Sequence, residues 1–235
     1  VEYGNNVLIN ATITDDVEVD VNSLKVTLED GSTYDMSLVG TKLYQAAIPT
    51  TALLSTGNYT FNMTAADTSG NSYTTPSIYS FEVQDTTAPV IDPVLAVDNP
   101  AEYGDDVTVY ATITDLGGVD SFSVFATVGG VTSLMSPGTA PNTYEALFYP
   151  TDFNGTTGNY TINITAADDA GNPATNLLGN LEVEDKTEPS ITNIEATTQT
   201  EYGSDVLINA TITDLVGIDT SYVVAIVGNA TFTMY

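Results

Sequence analysis

Cysteine, histidine, arginine and tryptophan are all missing from these 235 residues, and only three lysines, Lys25, Lys42 and Lys186, carry positive side-chain charge. Without cysteine, neither disulfides nor thiolate metal sites can staple the chain, and cysteine usage says nothing of its redox compartment. Without histidine, the usual nucleophile triads and zinc centres are excluded as well. Against the three lysines stand 31 acids, for a formal net charge of −28. That balance repels phosphate backbones and anionic lipid, so the expectation is no nucleic-acid partner and no docking on anionic membranes. No stretch approaches the roughly 20 continuous apolar residues that span a bilayer, which gives no membrane insertion in this segment. Val1 opens no basic-then-apolar leader, so any export or anchoring signal is expected outside the stretch.

What the chain does have is repetition. Glu2-Tyr3-Gly4, Glu102-Tyr103-Gly104 and Glu201-Tyr202-Gly203 each open a segment that ends in Ala-Thr-Ile-Thr-Asp. The period is therefore about 100 residues, the signature of an array. Thr56-Gly57-Asn58-Tyr59, with Asp67 and Gly70-Asn71 behind it, returns as Thr157-Gly158-Asn159-Tyr160, with Asp168 and Gly171-Asn172. Asp85-Thr86-Thr87-Ala88-Pro89 and Asp185-Lys186-Thr187-Glu188-Pro189 are polar, proline-ended seams of the kind that join modules. The expected organisation is a module over 1–84 lacking its first strand, a complete module over 85–184 and a partial one over 185–235. Measured by the repeat, the first copy lacks a leading segment and the third stops near its middle. The expectation is a stretch of a longer array, or partial modules completed by strands from neighbouring chains.

Within a copy the apolar period is two. Val7, Ile9, Ala11 and Ile13 fall on one face while Asn10, Thr12 and Thr14 fall on the other, and Val206, Ile208, Ala210 and Ile212 repeat the pattern. Tyr59, Phe61, Met63 and Ala65 alternate in the same way with Asn58, Thr60, Asn62 and Thr64. No helical stripe is visible. About seven such strands per copy, parted by Gly, Asn, Asp and Pro turns, predict an all-β chain of tandem two-sheet sandwiches.

The Gly-Asn-Tyr before an alternating strand, followed by Ala-Ala-Asp and Gly-Asn, resembles strand F and the F–G turn of prokaryotic immunoglobulin-like and fibronectin-III-like modules. The Asp-Thr-Thr-Ala-Pro seam is similar to the linkers of their tandem arrays. The resemblance covers essentially the whole chain and implies Ig-like β-sandwich modules of surface-layer, adhesin or extracellular filament proteins. It also implies that Tyr59 and Tyr160 form tyrosine corners, each phenol bonded to nearby backbone. The cysteines and core tryptophan of antibody domains are missing, which places prokaryotic surface modules nearer. Fold alone does not choose among their tasks.

Two surface signals remain. Asn-X-Thr sequons stand at Asn10, Asn58, Asn62, Asn154, Asn159, Asn163, Asn209 and Asn229. Eight exceed the about four that random placement gives, and most sit at outward strand positions, so N-glycans on the broad faces are expected. The acids gather in turns. In an Ig-like sandwich the B–C and F–G loops share the end that meets the preceding module, so one seam should collect Glu2, Asp85, Asp115, Asp120 and Asp168. A hard cation takes six to eight oxygens, and calcium is the expected ion, although no continuous Asp-X-Asp-X-Asp-Gly loop exists and solvated turn acids are the simpler reading. The Glu-Tyr-Gly triplet reads as a turn in which the tyrosine covers a sandwich end.

A glycosidase needs two acids about 5 to 10 Å apart in a cleft, whereas these recur at turn positions of every copy, so no enzyme is expected. The function expected from these residues is a structural glycoprotein of the prokaryotic, archaeal-type cell exterior. Copies of itself in a surface layer or filament are its partners, and no cofactor is required. The alternative is an adhesin repeat or a carbohydrate-binding stalk of a larger surface protein or secreted enzyme. Acidity also suits a high-salt or an acidic medium, and composition does not separate these.

Overall fold

The computed structural model describes residues 1–96 and 98–234. The first repeat supplies β1 (Asn6–Thr12), β2 (Val19–Leu28), β3 (Thr33–Asp35), β4 (Ser37–Gly40), β5 (Leu43–Pro49), β6 (Gly57–Asp67), β7 (Ser72–Thr74) and β8 (Tyr79–Val83). The second supplies β9 (Val90–Ala96), β10 (Ala101–Glu102), β11 (Val107–Thr114), β12 (Phe125–Val128), β13 (Val131–Leu134), β14 (Ser136–Pro137), β15 (Thr143–Phe148), β16 (Gly158–Ala167) and β17 (Pro173–Glu184). The third contributes β18 (Ser190–Ala196), β19 (Ile208–Thr213), β20 (Val224–Val227) and β21 (Ala230–Thr233). Only three short 3₁₀ turns interrupt this all-β pattern among the described residues.

The first sandwich sets β1-β5-β4 against β3-β2-β6-β7, with β8 continuing along β6. The alternation read from the sequence is the reason. Val7 and Ile9 of β1, Leu24 and Val26 of β2, Ala46 and Ile48 of β5 and Phe61 of β6 all turn inward and form one core. Burying each of the larger of these side chains, Ala46 apart, contributes about 1.5–3 kcal/mol. The second sandwich sets β14-β15-β11-β9 against β10-β17-β16-β12-β13. Its core holds Val107, Val109, Ile113, Val124, Phe148, Ile162, Ile164 and Leu181 essentially without exposure.

The leading strand of the second repeat serves both sheets. β9 runs antiparallel to β11, and the chain then crosses so that β10 runs parallel to β17. Asn99 secures the crossing: its Nδ2 donates to the Asn180 carbonyl at 2.8 Å and its Oδ1 accepts from the Glu182 amide at 2.9 Å. In the third repeat the described strands form two two-stranded ladders, β18-β19 and β20-β21, with much apolar surface exposed.

By contact density the chain separates into two compact units. One holds residues 1–88 with 115–119 and 168–172, and the other holds 89–114, 120–167 and 173–235. The tips of two loops of the second repeat thus belong with the first sandwich.

Candidate functional site: an acidic centre and two carboxylate clasps

Each Glu-Tyr-Gly triplet folds as a turn in which the amide three residues on donates to the glutamate carbonyl: Asn5 to Glu2, Asp105 to Glu102 and Ser204 to Glu201. The glycine sits at φ 95°, 111° and 91° in the three copies, a region that L side chains rarely adopt. A side chain there would also have to push aside an exposed leucine. A Cβ on Gly4 would stand 2.4 Å from Leu116 Cδ2, and one on Gly104 would stand 3.0 Å from Leu215 Cδ1. Tyr3 packs against the first core as expected of an end cover, whereas Tyr202 is fully exposed.

The glutamate does more than make a turn. Glu2 accepts from the Thr86 amide at 3.0 Å, the Thr86 hydroxyl at 2.8 Å and the Thr87 hydroxyl at 2.8 Å. Glu102 does the same in the second copy, accepting from the Lys186 amide at 2.9 Å, the Thr187 amide at 3.0 Å and the Thr187 hydroxyl at 2.7 Å. Backbone supports both clasps: Tyr3 and Tyr103 donate to the carbonyls of Gln84 and Glu184, each at 2.7 Å. Each glutamate therefore ties the opening turn of its repeat to the seam some 84 residues later. Hydrogen bonds from Thr86, the backbone amide first, pull the Glu2 carboxyl down to about 2. The Thr187 hydroxyl and then the Lys186 amide hold Glu102 below its ordinary value.

Beside the first clasp lies the acidic centre. Asp85, Asp115 and Asp168 each place a carboxylate oxygen within 4.8 Å of the other two. Asp168 is 2 % exposed and is held by Asn172, whose amide donates at 2.7 Å and whose Nδ2 donates at 2.6 Å. The same Nδ2 donates to the Asp85 carbonyl at 3.1 Å, linking seam to loop. Asp115 accepts from the Gly117 amide at 2.7 Å, and Asp85 accepts from the Thr87 amide at 3.2 Å. A Cβ on Gly117 would stand 1.9 Å from Asp85 Oδ2, so any side chain there would displace the Asp85 carboxylate from its place over the loop. Desolvation raises the Asp85 pKa, and repulsion from Asp115, Asp168 and Glu2 adds to it.

Of the five acids expected to converge, the structure brings three together. Glu2 spends its oxygens on the threonine clasp, and Asp120 closes its own turn by accepting from the Phe122 amide at 3.0 Å. The three that meet are hard oxygen donors. Asn172 and the seam threonines were not foreseen as partners, although Asp67 and Asn71 offered a signal: Asn71 holds Asp67 through the same pair of donors, at 2.8 and 2.6 Å.

The tyrosine corners are present, with Tyr59 donating to the Ser55 carbonyl at 2.5 Å and Tyr160 to the Thr156 carbonyl at 3.2 Å. Among the sequons, Asn10, Asn58, Asn154, Asn159, Asn209 and Asn229 are exposed, while Asn62 and Asn163 are half-buried. Asn10 accepts from Gln45 across the sheet, and the Asn163 Oδ1 is buried without a partner.

No family model matches this chain, and no curated protein does. Solved structures that align with it include the fibronectin(III)-like modules of Clostridium thermocellum CbhA, at 19% identity over 79% of this chain and 87% of that one, with a TM-score of 0.29. Titin domains A168-A170 align at 13% identity over 84% of this chain and 66% of theirs, with a TM-score of 0.44. A tetra-tandem repeat from the extending region of a large adhesion protein aligns at 16% identity over 88% and 59%, with a TM-score of 0.41. The repeat period, the two-sheet layering of the first two repeats and their tyrosine corners give this chain the fold of tandem Ig-like β-sandwiches.

Proposed function

We propose that this chain is a structural segment of a prokaryotic, archaeal-type cell exterior, in which Ig-like modules are strung into a surface layer or filament. The observation that carries the reading is the repeated clasp. Glu2 and Glu102 bind their seams through the same kinds of donor, so each seam leaves its module in a set direction. Fixed seams suit a load-bearing array and bring nothing to a reaction. The segment has no catalytic role on this reading, since histidine and cysteine are absent and its grouped acids sit in turns.

The exposed sequon asparagines carry N-glycans, which with the −28 charge keep the broad faces solvated. Calcium at Asp85, Asp115 and Asp168 relieves their mutual repulsion and stiffens the loops that share this unit with the first sandwich. Electron microscopy of native material should show a lattice or fibre, and intact-mass analysis should show added sugar. Dispersed monomers at high concentration would remove the assembly reading.

One observation favours the adhesin or carbohydrate-binding alternative. Tyr73 and Tyr79 stand exposed on β7 and β8, along one edge of β6. Sugar binding on a glycan array that is lost in a Tyr73→Ala/Tyr79→Ala double variant would favour that alternative.

A further inference from the structure

The outer face of β3-β2-β6 in the first module carries charge. Lys25 of β2 lies between Asp35 of β3 and Thr64 of β6, and its Nζ meets Asp35 Oδ1 at 2.6 Å. At the matching places in the ladders of the second module stand Phe125, Leu134 and Thr165: Phe125 of β12 pairs with Leu134 of β13 on one side and with Thr165 of β16 on the other. An ion pair has become an apolar pair, with Phe125 36 % and Leu134 46 % exposed. The change extends along the whole face. In a chain of net charge −28, residues 121–144, 153–167 and 170–181 include no acid and no base, and these stretches hold β12, β13, β16 and all but the last three residues of β17. Exposed apolar side chains with no charge around them call for a cover.

A point of attachment lies in the middle of this face. Asn163 pairs with Thr127, one step along the ladder from Phe125, and the threonine of its sequon, Thr165, is the residue opposite Phe125. Ile162 and Ile164 turn into the core, so Asn163 turns outward. Its Oδ1 is buried without a partner, whereas its Nδ2, the atom that carries sugar in an N-glycan, reaches the surface. In the first module the Nδ2 of Asn62, the counterpart of Asn163, is engaged, donating to Ser77 Oγ at 3.3 Å. We propose that an N-linked oligosaccharide on Asn163 lies over this face, with its ring C–H groups against Phe125 and Leu134 and its hydroxyls among Thr127, Thr132 and Thr165. This inference rests on the glycan reading and says what one sugar chain covers. Attachment joins C1 of the first sugar to Nδ2, breaks the bond from C1 to the phosphate of a lipid-linked donor and releases one amide proton. β16 is paired on both edges, so the transfer precedes closure of the sheet.

The chain has no tryptophan, so Phe125→Trp puts a lone indole reporter in the face. Glycopeptide mass mapping of native material should find sugar on Asn163. In a Phe125→Trp chain made in the native host, the indole should lose most of its quenching by acrylamide. Adding Asn163→Gln should restore the quenching, and so should Thr165→Ala, which breaks the same sequon and leaves Asn163 in place. Circular dichroism checks that each variant is folded. Asn163 bare while other sequons carry sugar overturns the proposal and leaves the glycan reading standing, whereas sugar at no sequon removes both. Sugar on Asn163 with an indole equally quenched in all three chains also overturns it. Shielding that survives Asn163→Gln does the same, and if that shielding grows with protein concentration the face belongs to a second copy.

Discussion

The first and second modules share a strand pattern and differ in how dry it is. Ile113 and Ile164 face each other's sheets in a closed core, while Ile13 and Met63, their counterparts, are half-buried beside an open groove. A repeat therefore specifies strands and faces, and the neighbouring strand decides how much of each face leaves water. Comparing the two modules separates what belongs to the repeat from what belongs to its surroundings.

The largest effect should come from truncating matched positions. Ile164→Ala removes a fully buried side chain and should cost about 2–5 kcal/mol in denaturant unfolding, whereas Met63→Ala, half-exposed, should cost clearly less. Equal costs would show that the groove of the first module is not open in solution. Next come the turn glycines. Gly4→Ala meets both a positive φ and the Leu116 side chain and should lose about 1–3 kcal/mol. Gly31→Ala has a positive φ but open space, so thermal unfolding should rank it below Gly4→Ala.

The clasp and the acidic centre should respond to pH with opposite signs. Glu2 is held down to about 2, so the stability it adds is fully present above its unfolded value near 4.5 and is lost as pH falls through 2. Asp85 is raised, so its charged form weakens the fold above its folded pKa, and acidification through that range relieves the penalty until the unfolded value near 3.8 is passed. Carboxyl carbon shifts followed by NMR should show Glu2 still ionised at pH 3 and Asp85 protonating before its solvated neighbours. Calcium should remove the Asp85 anomaly and raise thermal stability. An Asp115→Asn variant should blunt that gain, and calorimetry with no heat at millimolar calcium would dispose of the ion.

Much of the fold was legible because its signals are local. Alternation over β1 and β6, the tyrosine corners and the proline-ended seams need only a few adjacent residues to be read. The site was less legible because its partners are far apart along the chain. Glu2 reads as one more turn acid until the fold brings Thr86 and Thr87 against it, across about 84 residues. Asp120 was grouped with the seam acids by loop assignment, but its carboxylate is consumed by the Phe122 amide two residues on. Ser23 and Ser123 were overlooked for the same reason as Asn172. Each hydroxyl bridges the β2 or β12 side to β6 or β16, accepting from Ala66 and Ala167 amides at 2.7 Å, and a lone serine gives no hint of that.

Amide hydrogen exchange at matched positions of the two modules tests the central comparison most directly. Thr112 and Thr114 pair with Asp92 and Val90 of β9, while Thr12 and Thr14 face the edge of β1 that no strand covers among the described residues. In dilute monomer, Thr112 and Thr114 should be protected at least about tenfold more strongly than Thr12 and Thr14. Equal protection at the two sites would contradict the account, because it would mean that the leading strand does not set the difference between the modules.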